Sequence, residues 1–422
     1  MEKLTDKRKI NATIFLFTMT YLVSYMTRIN LGAVITAVEE DTGMTKTMLS
    51  AAVTGSAITY GVGQILSGVI GDRVSPKKLV FLGIMVSVSM NLLLIFCRDH
   101  IQMTAVWCVN GLAQAFLWPP LVKLMVGLFT THDYQRASTM VSWGSAFATI
   151  IIYQLSPLVI MVASWRALFV ITASAGIVMA LCWLKFCKEP QFEKFHGKPA
   201  HTPGRKREKG MFTPLLIAIM VAIMLQGALR DGVTTWMPSF VSETFSLSSE
   251  VSILSGVCLP IFSILSFRVA LWLYERKPGN PVRCAGWIFA VGAVAALLLT
   301  LVCKGSPIAS IGCMALLTGC MHGVNLLLIC MVPPFVQRHG NVSTVSGVLN
   351  SCTYVGSAIS TYGIALLSDS AGWQATAFVW FLIAALGKVI CAVCSKIWKL
   401  ILLKPVGYPT GFSCVQQMFL YV

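Results

Sequence analysis

The chain has 422 residues, of which 56% are hydrophobic and 11% charged, with a formal net charge of +16 and a mean hydropathy of +0.77. Globular domains carry roughly 25% charged residues, so this composition excludes a soluble enzyme and describes an all-α membrane protein with many crossings. Outer-membrane β-barrels are excluded too, because their strands are short and alternate in polarity.

A spanning helix needs about 20 apolar residues. In chain order the sequence offers twelve such stretches, at about 12–36, 46–70, 78–97, 101–129, 137–160, 166–187, 212–241, 251–274, 284–303, 306–334, 343–366 and 374–397. A basic polar stretch at 188–211 divides them six and six. The expected domains are therefore a bundle at 1–187, a flexible linker at 188–211, a second bundle at 212–400 and a tail at 401–422.

Positive charge falls in every second connection: Lys3, Lys7, Arg8 and Lys9; Arg73, Lys77 and Lys78; Arg136; the linker; Arg276, Lys277 and Arg283; Arg338; Lys396 and Lys399. The intervening loops are neutral or acidic, as in Glu39-Glu40-Asp41. This positive-inside pattern predicts both termini in the cytoplasm and a bacterial inner (plasma) membrane as the location. It accounts for the charge without nucleic acid as a partner; the lipid bilayer is the partner expected, around a monomer. The fourteen cysteines lie scattered through the spans, so no disulfide framework is implied. Cys391-Ala-Val-Cys394 has redox spacing but sits in the last apolar helix, where it reads as packing. Residues 1–10 are charged and lead into a full span, which is not the pattern of a cleavable signal.

The halves repeat. Arg28 in span 1 matches Arg230 in span 7, and Gly71-Asp72-Arg73 after span 2 matches Tyr274-Glu275-Arg276 after span 8. Trp118-Pro119-Pro120 in span 4 matches Val332-Pro333-Pro334 in span 10, and Ser164-Trp165-Arg166 matches Gly372-Trp373-Gln374. Parallel repeats of this kind place a substrate site near the midplane between the halves, which rock around it.

Arg28 and Arg230 each lie roughly 17 residues, or about 25 Å, into an apolar helix. A charge at that depth is expensive and marks function by default. The guanidinium is permanently charged and matches phosphate or carboxylate with two parallel bonds, so the pair predicts a central anion site; a structural role, paired to carbonyls or a carboxylate, is the alternative. Tyr21 and Tyr25 share the Arg28 face at i, i+4, i+7 spacing, as cavity hydroxyls or as an aromatic packing stripe. Asp231 is the acidic residue near the middle of an apolar span. It stands about 100° around the helix from Arg230, as a neutraliser of a basic partner or a protonatable coupling site. Gln64, His322, Asn325 and Tyr354 are further polar groups within spans, and a histidine can titrate near neutrality. Between spans 2 and 3, Gly68-x2-Gly71-Asp72-Arg73 with following lysines combines close helix approach with charges fit for a latch. No phosphate-cradling glycine loop, metal cluster or triad appears, so neither metal, cofactor nor enzymatic activity is expected.

Several segments resemble the organophosphate:phosphate antiporters of the major facilitator superfamily, the glycerol-3-phosphate and hexose-phosphate transporters. They are Tyr21-x3-Tyr25-x2-Arg28-x-Asn30, Asn110-Gly-Leu-Ala-Gln114-x3-Trp118-Pro119-Pro120, Leu229-Arg230-x5-Trp236-x-Pro238 and Gly347-x6-Tyr354-x-Gly356. The resemblance covers about residues 12–397. It implies the major facilitator fold, with twelve transmembrane helices in two six-helix bundles. It also implies a phosphoryl group held between Arg28 and Arg230, Tyr21, Tyr25 and Tyr354 as cavity or gate residues, and inorganic phosphate as counter-substrate. Gln64 stands where the glycerol-3-phosphate transporters have a lysine, and Phe147 where they have a histidine. With Asp231 added, these departures bring a singly charged anion, a phosphonate or another organic acid coupled to protons into consideration. A non-transporting sugar-phosphate sensor is the competing class.

Overall fold

The computed structural model describes residues 3–190, 213–246, 258–276, 280–335 and 341–402. Most of the expected linker and tail lies outside these. Thirteen helices follow in order: α1 Lys7–Ala33, α2 Ile35–Thr42, α3 Lys46–Arg73, α4 Pro76–Leu94, α5 His100–Ala115, α6 Trp118–Leu128, α7 Thr131–Val162, α8 Trp165–Phe186, α9 Pro214–Phe245, α10 Cys258–Arg276, α11 Pro281–Val302, α12 Pro307–Asn325 and α13 Val342–Leu402. A π-helical turn, Leu326–Cys330, continues α12.

Among the described residues ten helical runs are long and apolar enough to cross a membrane. The longest bends at Gly372 (φ 77°) and is long enough to cross twice, and α10 supplies a further helix of 19 residues. Counted so, the described residues hold twelve membrane-length helical segments, in the order the sequence predicts. The turn at Gly372 needs a left-handed backbone, which glycine adopts without a Cβ clash.

The helix starts follow from local chemistry. Ser75, Thr213, Asn280 and Ser306 each accept a bond from a first-turn amide, and each is followed by proline at the first helical position. The side chain satisfies an amide that has no helical partner, worth about 1 kcal/mol, and proline lacks the donor that would otherwise be orphaned. Proline also explains where the expected span 101–129 departs from a single rod. Pro119 and Pro120 cannot donate into the preceding turn, so the chain tightens at Phe116 and Leu117, whose amides reach Ala113 and Gln114, and restarts as α6.

Within the first half, α1 packs on α7 and α8, α3 on α5, and α4 on α5 and α8. Within the second, α9 and α11 pack on α13, and α10 and α11 on α12. The halves meet where α3 lies along α13 and α7 along α10. The internal repeat exchanges these two pairs, so one interface is built twice. Small residues permit the close approaches that membrane helices rely on. A Cβ on Gly356 would overlap the Met224 carbonyl, and one on Gly227 the Thr353 carbonyl, so α9 and α13 touch backbone to backbone.

At the face opposite the N-terminus, Asp41 receives Arg166 at 2.6 Å and the Trp165 indole at 3.0 Å. These bonds hold its carboxyl below the usual range and tie α2 to the start of α8.

Gly356→Ala is expected to lower the thermal midpoint of the detergent-purified protein by several degrees, since overpacking costs about 1–3 kcal/mol. Gly363→Ala, where nothing lies within 4 Å of the new methyl, should leave the midpoint in place. Equal midpoints for the two variants would contradict the α9–α13 contact.

Candidate functional site

Arg28 is fixed by the segment around it. Thr27 and Asn30 belong to a buried hydrogen-bond network linking α1, α4, α5 and α8. Asn30 donates to Asn91 (2.7 Å) and Thr172 (3.0 Å), while Asn91 and Asn110 both donate to the Thr27 carbonyl. Gln114 donates to Thr27 and Ser87, and Ser87 donates to Asn110. Each bond replaces one that hydrocarbon cannot offer. Asn30, Asn110 and Gln114 thus hold the arginine helix and do not reach the space between the halves.

The Arg28 guanidinium lies 3.8 Å from the ring centroid of Tyr60, 5.2 Å from that of Tyr25 and 5.6 Å from that of Tyr354. Its Nη2 donates to the Tyr354 hydroxyl at 2.7 Å. Tyr60 and Tyr354 meet edge to face at 4.8 Å. An aromatic box of this kind stabilises a cation by roughly 0.5–2 kcal/mol per ring. Tyr21 packs beneath, against Tyr25 and Trp118. Tyr60 is not among the residues that the sequence marks as candidates. The signal was its place one turn before Gln64 on α3, the same spacing that marks Tyr21 and Tyr25.

Arg230 is satisfied differently. Its Nε and Nη2 donate to the two carboxylate oxygens of Asp231 at 2.6 and 2.9 Å, with the side chains 15% and 25% exposed. The two Cβ directions diverge, but the long guanidinium folds back over its neighbour. The Ser357 side chain also addresses Asp231. His322 lies within electrostatic reach of both members of the pair and packs edge-on against Phe267. Asn325 closes α12, half-buried, one turn beyond His322. Tyr25 and Tyr354 each lie within electrostatic reach of both guanidiniums.

Between this site and the face that carries the N-terminus, the halves are latched. Gln64 is fully buried, donating to the Ala115 carbonyl and accepting from Asn350 across the interface at 2.9 Å. Tyr134 donates to the Cys330 carbonyl in the π-turn, and Trp143 donates to the Ile264 carbonyl. At the rim Asp72 accepts from the Ser343 amide (3.0 Å), the Thr344 amide (2.8 Å) and the Thr344 hydroxyl (2.6 Å). The carboxylate thus caps the N-terminus of α13, where the helix dipole favours negative charge. Lys123 donates to the Gly71 and Asp72 carbonyls, whereas Arg73 points to the surface. The hydrogen bonds described between α3 and α13 all lie on the side of Arg28 and Tyr354 that carries the N-terminus. Among the described residues no group of His, Cys, Asp and Glu is placed to hold a metal ion.

Comparison with known proteins agrees with this architecture. The profile of the Major Facilitator Superfamily matches residues 17–361, and the chain belongs to that family. It is 23% identical over 386 residues to the glycerol-3-phosphate transporter of Bacillus subtilis (strain 168), covering 84% of this chain and 85% of that one. It is 24% identical over 315 residues to a "Probable hexose phosphate transport protein" of Chlamydia pneumoniae, covering 64% and 67%. The crystal structure of the major facilitator transporter FucP in its outward conformation shares the fold, with a TM-score of 0.73 at 12% identity over 92% of this chain and 99% of that one.

Asp72→Ala removes acceptors from the first amides of α13, a loss of about 0.5–2 kcal/mol. Hydrogen exchange over residues 342–350 should accelerate roughly 2- to 30-fold at that cost. Unchanged exchange there would show that the carboxylate does not hold the rim.

Proposed function

We propose that this chain is a secondary transporter of a small organic anion, with an organophosphate or sugar phosphate as the class that fits best. The observation carrying this reading is the pair of guanidiniums, one from each half, that flank Tyr25 and Tyr354 where the contact between the halves ends. A phosphoryl group entering from the open side meets Arg28 and Arg230 together. Bridging them draws the halves closed and lowers the barrier to the opposite state, the rocking expected of two repeats. The moving bodies are 1–187 and 212–400, joined by 188–211. The names of the two relatives support a phosphate ester as cargo, and the resemblance of the arginine segments to the antiporters adds inorganic phosphate as the counter-substrate we propose.

The positive-inside pattern supports a bacterial inner membrane with both termini cytoplasmic. The latched face is then the cytoplasmic one, and the conformation is outward-facing. One chain supplies both arginines, which suits a monomer.

The Arg230–Asp231 pair favours a second reading. With Asp231 ionised, Arg28, Arg230 and Asp231 together carry one net positive charge, which matches a monovalent organic acid or a phosphonate monoanion. A proton on Asp231 would free the guanidinium fork and admit a second negative charge, which makes Asp231 the coupling candidate with His322 as its titratable neighbour.

In proteoliposomes, Arg28→Ala and Arg230→Ala should each abolish uptake of the anion that raises thermal stability in a screen of phosphate, sugar phosphates, glycerol phosphate, phosphonates and carboxylates; binding stabilises by mass action. Full uptake in both variants would refute the paired-arginine site. Binding by the wild type without counterflow would identify a sensor instead. Asp231→Asn should shift preference from monoanions toward dianionic phosphate esters, and an unchanged ranking would remove Asp231 from charge selection.

A further inference from the structure

A third arginine lies inside a spanning helix, away from the site. Arg268 in α10 stands eight residues before Arg276, about 12 Å along the axis from that end. It is exposed, and it shares a stripe with Ile261, Leu265 and Trp272, which are 60%, 61% and 49% exposed. Such a stripe is the face a membrane helix shows to acyl chains. Among the described residues Arg268 has neither a hydrogen bond nor an ion pair. A bare guanidinium on a lipid-facing stripe is costly unless it snorkels to an interface or meets an anion.

The anion has a place to sit. Arg268 lines a cavity of about 360 Å³ between α7 and α10, at the lower end of the range for small-molecule sites. Arg136 from α7 faces it from the other half of the protein, held by a 2.9 Å bond to Asn11. His132 and Glu275 complete the charged lining. With His132 neutral, two arginines against one glutamate leave a net positive cavity. Met140 and Leu271 give it an apolar wall, and Trp143, which also lines it, donates across the halves to the Ile264 carbonyl.

We propose that this crevice binds the phosphodiester headgroup of an acidic phospholipid, ligated by Arg268 and Arg136 with its acyl chains along the α10 stripe. Basic pockets between spanning helices suit such headgroups. A lipid fits better than a soluble anion because Arg268, which lines the cavity, belongs to the same exposed apolar stripe as Leu265 and Trp272. Since α7 and α10 belong to different halves, the headgroup bridges them on the latched face and favours the conformation closed there. This site is separate from the central arginines and does not depend on the cargo they carry.

The test uses the full chain in nanodiscs of phosphatidylcholine, with and without phosphatidylglycerol. Phosphatidylglycerol should raise the unfolding midpoint of the wild type by several degrees, and R268Q and R136Q should lose most of that shift. An equal shift in wild type and variants would overturn the site in favour of general surface attraction. Inorganic phosphate added to phosphatidylcholine discs should give no shift that depends on Arg268; if it gives one, the crevice takes a soluble anion and the lipid proposal fails. Native mass spectrometry of the wild type keeps the question decidable if R268Q does not fold. Retention of one phosphatidylglycerol in preference to phosphatidylcholine supports the site, and absence of preference refutes it.

Discussion

A guanidinium cannot lose its charge, and hydrocarbon offers it nothing. Every arginine inside this bundle therefore has to be satisfied by the protein, by a ligand or by lipid, and the helices are arranged around the ways this is done. Arg28 is boxed by tyrosine rings and bonded to Tyr354. Arg230 is forked onto Asp231. The first solution leaves the positive charge uncompensated and open to an anion. The second compensates it in advance.

On the proposed function, that difference ties binding to movement. Tyr354 belongs to the second half and Arg28 to the first, so the bond between them is also a bond between the halves. It continues as Gln64 to Asn350 and ends as Asp72 on the first turn of α13. The contacts form one seam along α3 and α13, packed so closely that Gly68 meets the backbone of Ser343 and Thr344. An anion that recruits Arg28 competes with the Tyr354 hydroxyl at the top of this seam. Packed interfaces shift between discrete arrangements and do not stretch, so a change at Tyr354 bears on the whole seam.

Much of this was legible in the sequence because its signals are strong ones. The crossings follow from apolar length, the helix starts from Ser-Pro, Thr-Pro and Asn-Pro pairs, and the equivalence of Arg28 with Arg230 from the repeat. What the sequence could not show was the distribution of polar partners across helices. Gln64 reads like a cavity group and lies fully buried as a crosslink. Asn30 and Gln114, carried by the motif itself, hold the arginine helix in place. Tyr60 closes the box around Arg28 from another helix, and no pattern within α1 points to it. The 100° step between Arg230 and Asp231 left open whether Asp231 neutralises a basic partner or couples protons, because backbone angle says little about where a side chain as long as arginine ends. Arg268 was lost among the apolar residues of α10, since only the packed structure separates a lipid-facing stripe from one facing a neighbouring helix.

On the proposed function, the site's charge decides which anion is bound most favourably. An ionised Asp231 occupies the Nε and Nη2 edge of Arg230 and leaves the Nη1 and Nη2 edge, so a substrate must either displace the carboxylate or bind beside its negative charge. Displacement leaves a carboxylate without its bidentate partner in a largely buried place, and breaking one side of such a pair costs about 3–5 kcal/mol. A second negative charge on the substrate raises the attraction to Arg230 and the repulsion from Asp231 together. The dianion therefore gains little over the monoanion until Asp231 is neutralised. Protonation, replacement or movement of that one carboxylate would convert a site suited to a single charge into one suited to two, without altering either arginine.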